Sequence, residues 1–218
     1  MTTTTPLDRL AIWAGIVGSM VVGLGAVVTG LGYVGKAGES YSPLNHFVSE
    51  LGELAESDLA AVFNAALVVG GVCFALFMLG LGVAHAGWLP NLYGVLGVLA
   101  GIGGAFVGIF PMDFRAPHGI AALTFFGFGT IAVGLASIDF VRRPDPRSPA
   151  PLAIVGGAAV VSFVGFFALL AGETGGLARP DLRPAVWPVA IFEWLLLACI
   201  VLWVFLTALC WQRATAAR

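Results

Sequence analysis

Residues 90–111 read PNLYGVLGVLAGIGGAFVGIFP, an apolar run without a single charged side chain. A helix rises 1.5 Å per residue, so a run of about 20 such residues crosses the roughly 30 Å hydrocarbon layer of a bilayer. Within it Gly97, Gly101 and Ala105 recur every fourth residue, and Gly104 with Gly108 repeats that spacing on the neighbouring stripe. Small residues at this interval let helix backbones approach closely in lipid, so the run reads as a central packing helix.

Outward from it, five more runs of similar character appear, near residues 9–34, 58–85, 118–141, 150–172 and 185–211. Local signals mark their ends. Ser57 and Asp58 are available to cap the second run, and Pro90 suits the first turn of the third. Pro149 and Pro151 open the fifth, after the linker Arg142–Pro149. The Ala86–Leu89 connection makes the second and third helices antiparallel neighbours. The first run is longer than the core of a signal peptide and lacks a small-x-small cleavage site, so it reads as a retained helix.

Composition agrees. Hydrophobic residues make up 59% of the 218-residue chain and charged residues 10%, against about 25% charged in soluble domains. That much apolar surface has no place in water but is at home in lipid. The expected fold is all-α: a single domain over residues 1–218, an integral membrane bundle of six transmembrane helices. A net charge of −2 without a basic run excludes a nucleic-acid partner. Cys73, Cys199 and Cys210 lie far apart inside apolar runs, which argues against a disulfide framework or a CxxC zinc site.

With an even number of spans, the termini share a side with the loops near 86–89 and 142–149. Arg9, Arg142, Arg143, Arg147, Arg213 and Arg218 fall there, six of the ten basic residues. Lys36, Arg115, Arg179 and Arg183 fall opposite. The positive-inside rule then puts both termini in the cytoplasm of a multi-pass cell-membrane protein.

The polar residues gather on the other, extracytoplasmic side. In the first outer loop Ser42-Pro43 reads as a helix start and Gly52 as a stop. Leu44, Phe47, Val48 and Leu51 fall at i, i+3, i+4 and i+7, which predicts a short amphipathic helix at the membrane surface. Asn45, His46, Ser49 and Glu50 take its polar face, with Asn45 one turn from Ser49 and His46 one turn from Glu50. The turn between the third and fourth runs adds Asp113, Arg115 and His118. Glu193 lies about two turns into the last run. A carboxylate there costs roughly 2.5–3.5 kcal/mol to insert, so it should face the bundle interior, protonated or paired with Arg115, Arg183 or a histidine.

These pieces resemble a known family. Asn45-x-x-x-Ser49-Glu50-Leu51-Gly52, Phe110-Pro111-x-Asp113 with His118-Gly119, and a glutamate in the last helix are similar to the bacterial and archaeal membrane family of unknown function numbered 998. The resemblance spans nearly the whole chain and implies a six-helix membrane protein with no established activity. It implies that Asn45, Ser49, Glu50, Asp113, His118 and Glu193 occupy the family's polar positions. The family pattern carries an arginine after the late glutamate, where this chain has Trp194, and His46 lies outside the pattern.

Two functions fit. One is action on a lipid or amphiphile at the outer leaflet, with His118, Asp113, Glu50, Ser49 and Glu193 as catalytic candidates and Asn45, His46 and Arg115 as ligand contacts. A histidine or carboxylate would move protons while Ser49 or water attacks. The other is a non-catalytic lipid-binding, sensing or assembly subunit whose polar cluster ties helices together. A metal on His46, His118 and a carboxylate is chemically allowed, but no HExxH-like spacing supports one. The sequence does not identify a cofactor, and the expected partners are membrane lipids. A transporter fits least, because the spans hold little besides Glu193 to line a polar path and no inverted repeat is found between the two halves.

Overall fold

In a computed structural model that describes residues 5–35, 38–173 and 183–217, six long helices form. They are α1 (Pro6–Leu31), α2 (Ala60–Ala84), α3 (Trp88–Ile109), α4 (Arg115–Arg142), α5 (Leu152–Gly172) and α6 (Pro188–Ala216). All six are long and apolar enough to cross a membrane. Lys36, Arg179, Asp181 and Arg218 lie outside the described residues. The expected spans are therefore present, with ends shifted by a few residues. The cap expected from Ser57 and Asp58 does not form: α2 starts at Ala60, and Leu59 before it offers no capping side chain. At α1, Thr5 accepts from the Asp8 N–H at 3.1 Å while Asp8 accepts from the Thr5 N–H at 2.8 Å, a reciprocal capping box ahead of Pro6.

Helices adjacent in sequence pack side by side, and α6 closes the ring onto α1. The small-residue stripe of α3 explains its closest contact. A Cβ on Gly101 would stand 2.5 Å from the carbonyl of Gly71, and one on Gly108 would stand 2.3 Å from the carbonyl of Asn64. Both belong to α2, so α2 and α3 meet backbone to backbone, as small-xxx-small spacing permits. Around the outside the helices present Ile120, Ile154 and Val161, the last at 66% exposure. An apolar belt of that extent on every side is the surface of a multi-pass membrane protein.

The first long connection, residues 41–59, folds over one end of the ring, opposite the termini. The amphipathic helix expected there is replaced by other geometry. Residues 43–45 make a turn, Phe47 is extended at φ −65° and ψ 148°, and only Val48–Gly52 is helical, in 3₁₀ form. The faces differ too: Leu44 is exposed, while His46 and Glu50 are buried. Tertiary partners override the helical pattern. The Trp187 N–H donates to the Leu44 carbonyl at 2.7 Å, and the Val48 N–H donates to Glu193 at 2.7 Å. Neither bond survives in a continuous helix, where those groups bond within the segment. We call residues 41–59 the cap.

Candidate functional site

The cap is sewn to the bundle at several points. Asn64 of α2 donates from Nδ2 to the Gly52 carbonyl at 2.9 Å. Asp113, in the α3–α4 turn, accepts from the N–H groups of Leu54 at 2.8 Å and Ala55 at 3.3 Å. Trp194 of α6 donates from Nε1 to the Tyr41 hydroxyl at 2.8 Å, and the Tyr41 hydroxyl donates to the Phe47 carbonyl at 2.8 Å. Trp194 thus serves as a hydrogen-bond donor to the cap.

Glu193 faces inward, as its insertion cost requires, and is 5% exposed. Its partner differs from the expected cations. Oε2 accepts the Val48 N–H, and the Ser49 N–H and hydroxyl also bear on the carboxylate. Arg183 instead sits 2.7 Å from Oε1 of Glu50. That contact is an ion pair by distance, although neither oxygen of Glu50 has a well-aligned hydrogen-bond donor. Arg183 also lies over the Trp187 ring, 5.1 Å from its centroid. The one-turn pairs expected on a cap helix are likewise absent. Asn45 Oδ1 is 2.7 Å from His46 Nδ1, and the Ser49 hydroxyl donates to the Met112 sulfur at 3.3 Å.

Two compartments result. The outer one lies within the cap and holds His46 between Tyr33 and Tyr41, with ring centroids 5.6 and 5.1 Å away. Burial pushes both phenols above their ordinary pKa and holds His46 below its own. Glu50 belongs here, and burial raises its carboxyl to about 7, with Arg183 pulling the other way.

The inner compartment is a cavity of about 70 Å³ inside the ring, several times the roughly 10–15 Å³ that one water needs. Its walls come from α1, α2, α3, α4 and α6 and are almost wholly apolar, with Phe63, Leu67, Phe74 and Ile200 among them. Ser49, His118 and Glu193 line it, and Ser19 adds the one other polar side chain among the described residues. His118 Nδ1 is 2.9 Å from the Phe110 carbonyl. A carbonyl only accepts, so Nδ1 carries the proton, and Nε2 of the neutral ring keeps its lone pair.

The eight residues singled out in the sequence therefore divide. Ser49, His118 and Glu193 share the inner cavity, while Asn45, His46 and Glu50 sit in the cap. Asp113 is exposed and fastens the cap, and Arg115 is exposed at the start of α4, outside the cavity lining. His46 and His118 do not meet, and among the described residues no three His, Cys, Asp or Glu side chains gather to hold a metal ion. Tyr33 and Tyr41 escaped the sequence reading because aromatic residues near a helix end look like ordinary interfacial anchors.

A family model described as "Protein of unknown function (DUF998)" matches residues 20–210. The chain belongs to this family. No curated protein and no solved structure matches the chain. The match covers the cap, the α3–α4 turn and Glu193, so all eight candidate residues belong to the family domain.

Proposed function

We propose that this DUF998 protein binds and acts on a membrane lipid or similar amphiphile at the outer leaflet. In this reading the apolar chain enters the inner cavity and the polar group meets Ser49, His118 and Glu193. One observation carries it: an apolar cavity inside a membrane bundle with three polar side chains from the cap, α4 and α6 in its lining. Pockets that orient a ligand combine apolar walls with a few placed polar groups in this way.

His118 Nε2 is the available base. A hydroxyl or water held beside it would pass its proton to that lone pair as its oxygen attacks an ester carbonyl of the lipid, and the alcohol that leaves would take the proton back from Nε2. Glu193 and Ser49 would position that oxygen. Asp113, an earlier catalytic candidate, acts in this reading by fastening the cap.

The experiment is lipid turnover by the protein purified in nanodiscs of its host membrane lipids, followed by mass spectrometry. The reading expects a lipid species consumed by the wild type and spared by His118→Ala. Equal turnover by both proteins would overturn the catalytic part.

A second reading has its own support, because Glu193 and Asp113 each satisfy backbone N–H groups of the cap. In a non-catalytic lipid-binding or assembly subunit, these carboxylates would only hold the fold together. That reading expects lipid retained in the cavity with no turnover by any variant.

A further inference from the structure

A second concavity, of about 350 Å³, runs along the seam between α1 and α6 on the membrane-facing surface. Met20, Gly23 and Val27 of α1 and Ala198, Leu202 and Phe205 of α6 form its sides. Ser19, Val22, Leu197 and Val201 line both this groove and the inner cavity, so the same four side chains separate the two spaces. One side-chain hydrogen bond crosses the seam there, from the Ser19 hydroxyl to the Val201 carbonyl at 3.3 Å. A hydroxyl rotates freely, and the remaining three residues are aliphatic.

Charge in the cavity is equally restrictive. Among the described residues its lining contains no lysine or arginine, and the charged or basic groups there are the Glu193 carboxyl and the His118 imidazole with Nε2 open. Arg183, the cation at this end among the described residues of α6 and its lead-in, is held at Glu50 and does not line the cavity. A phosphate brought into this space would be desolvated beside a carboxyl with no cation to receive it, the costliest arrangement for a buried charge. A hydroxyl faces no such cost. It donates to Nε2 and, with the Ser49 hydroxyl turned from the Met112 sulfur, accepts from Ser49.

We propose that the ligand is an uncharged, hydroxyl-bearing single-chain lipid, a monoacylglycerol, which enters sideways from the bilayer between α1 and α6. The inference rests on the lipid reading above and deepens it. The chain lies along the seam groove and threads past Ser19 into the cavity, and the hydroxyl reaches His118. Phospholipids carry an anionic phosphate in the head and meet that cost.

The test uses full-length protein in nanodiscs and two photoreactive probes with the same diazirine-bearing hexadecyl chain, which when extended covers about two thirds of the roughly 30 Å hydrocarbon layer. One probe ends in a hydroxyl and the other in a phosphate. The alcohol is expected to label cavity residues such as Leu67 and Ala122, and the phosphate roughly tenfold less, the factor given by about 1.4 kcal/mol of discrimination.

Gly23→Trp then tests the route. A Cβ at Gly23 meets nothing within 4 Å, so the indole starts from open space in the groove that Gly23 lines. Labelling of Leu67 and Ala122 is expected to fall, and an unchanged melting temperature certifies the fold. Cavity labelling by the phosphate at equal strength, or undiminished labelling in Gly23→Trp, would overturn this proposal and leave the lipid reading standing. Absence of cavity labelling by either probe would overturn both.

Discussion

The Glu193 carboxylate accepts a 2.7 Å hydrogen bond from the backbone N–H of Val48, and 145 residues separate the two in sequence. This bond joins the last helix to the first long connection and sets the floor of the cap above the cavity. Removing the acceptor leaves a buried N–H without a partner, which costs about 1–3 kcal/mol. Glu193→Ala is therefore expected to melt several degrees below wild type in detergent. Glu193→Gln keeps a carbonyl oxygen for Val48 and should lie much closer to wild type. Equal losses in the two variants would show that the bond does not hold the cap.

Asp113 performs a similar task in water rather than in the core. It is exposed and accepts from the N–H groups of Leu54 and Ala55. Exposed hydrogen bonds contribute modestly, about 0.5–1.5 kcal/mol, so Asp113→Ala should barely shift the global melting point. Its effect should be local. Amide hydrogen exchange in residues 48–58 is expected to accelerate while α2 and α3 stay protected. Unchanged protection across the cap would remove Asp113 from its anchoring role.

The bundle and the cap were legible in the sequence to different degrees, and for one physical reason. A bilayer demands that each crossing satisfy its own backbone with about 20 apolar residues, so the six spans are written locally and their helices appear where the runs lie. The cap depends on partners far along the chain. Leu44, Phe47, Val48 and Leu51 carry helical spacing, yet Phe47 is extended because Val48 must reach Glu193 and Leu44 must receive Trp187. The inward aim of Glu193 followed from the cost of its charge. Its partner did not, since a backbone N–H leaves no trace in composition, and the pairing of Arg183 with Glu50 was hidden likewise.

Two glycine substitutions separate packing from propensity. A Cβ at Gly108 would sit 2.3 Å from the Asn64 carbonyl and 3.0 Å from the Val68 N–H, whereas one at Gly157 meets nothing within 4 Å. Gly108→Ala should force α2 and α3 apart, at the roughly 1–3 kcal/mol typical of overpacking. Gly157→Ala should be neutral or stabilising by up to about 1 kcal/mol, from the lower conformational entropy of alanine in the unfolded chain. Thermal unfolding of both variants in one detergent is the measurement. A stable Gly108→Ala protein would mean that the two helices are not in backbone contact.

Glu50 gives the bundle a pH dependence whose sign is set by burial. Its carboxyl is raised from an ordinary 4.5 to about 7, chiefly by desolvation, with Arg183 opposing. Between these values the folded protein keeps a proton that the unfolded chain has released, so stability falls as pH rises. The stabilising contribution is complete below about 4.5 and lost as pH passes about 7. Glu50→Gln removes this titration while keeping the shape of the side chain. The melting temperature of the variant relative to wild type is therefore expected to move in the variant's favour between pH 5 and pH 8 (roughly the two sides of the titration). A gap that stays constant across that interval would mean that the Arg183 ion pair keeps Glu50 ionised throughout.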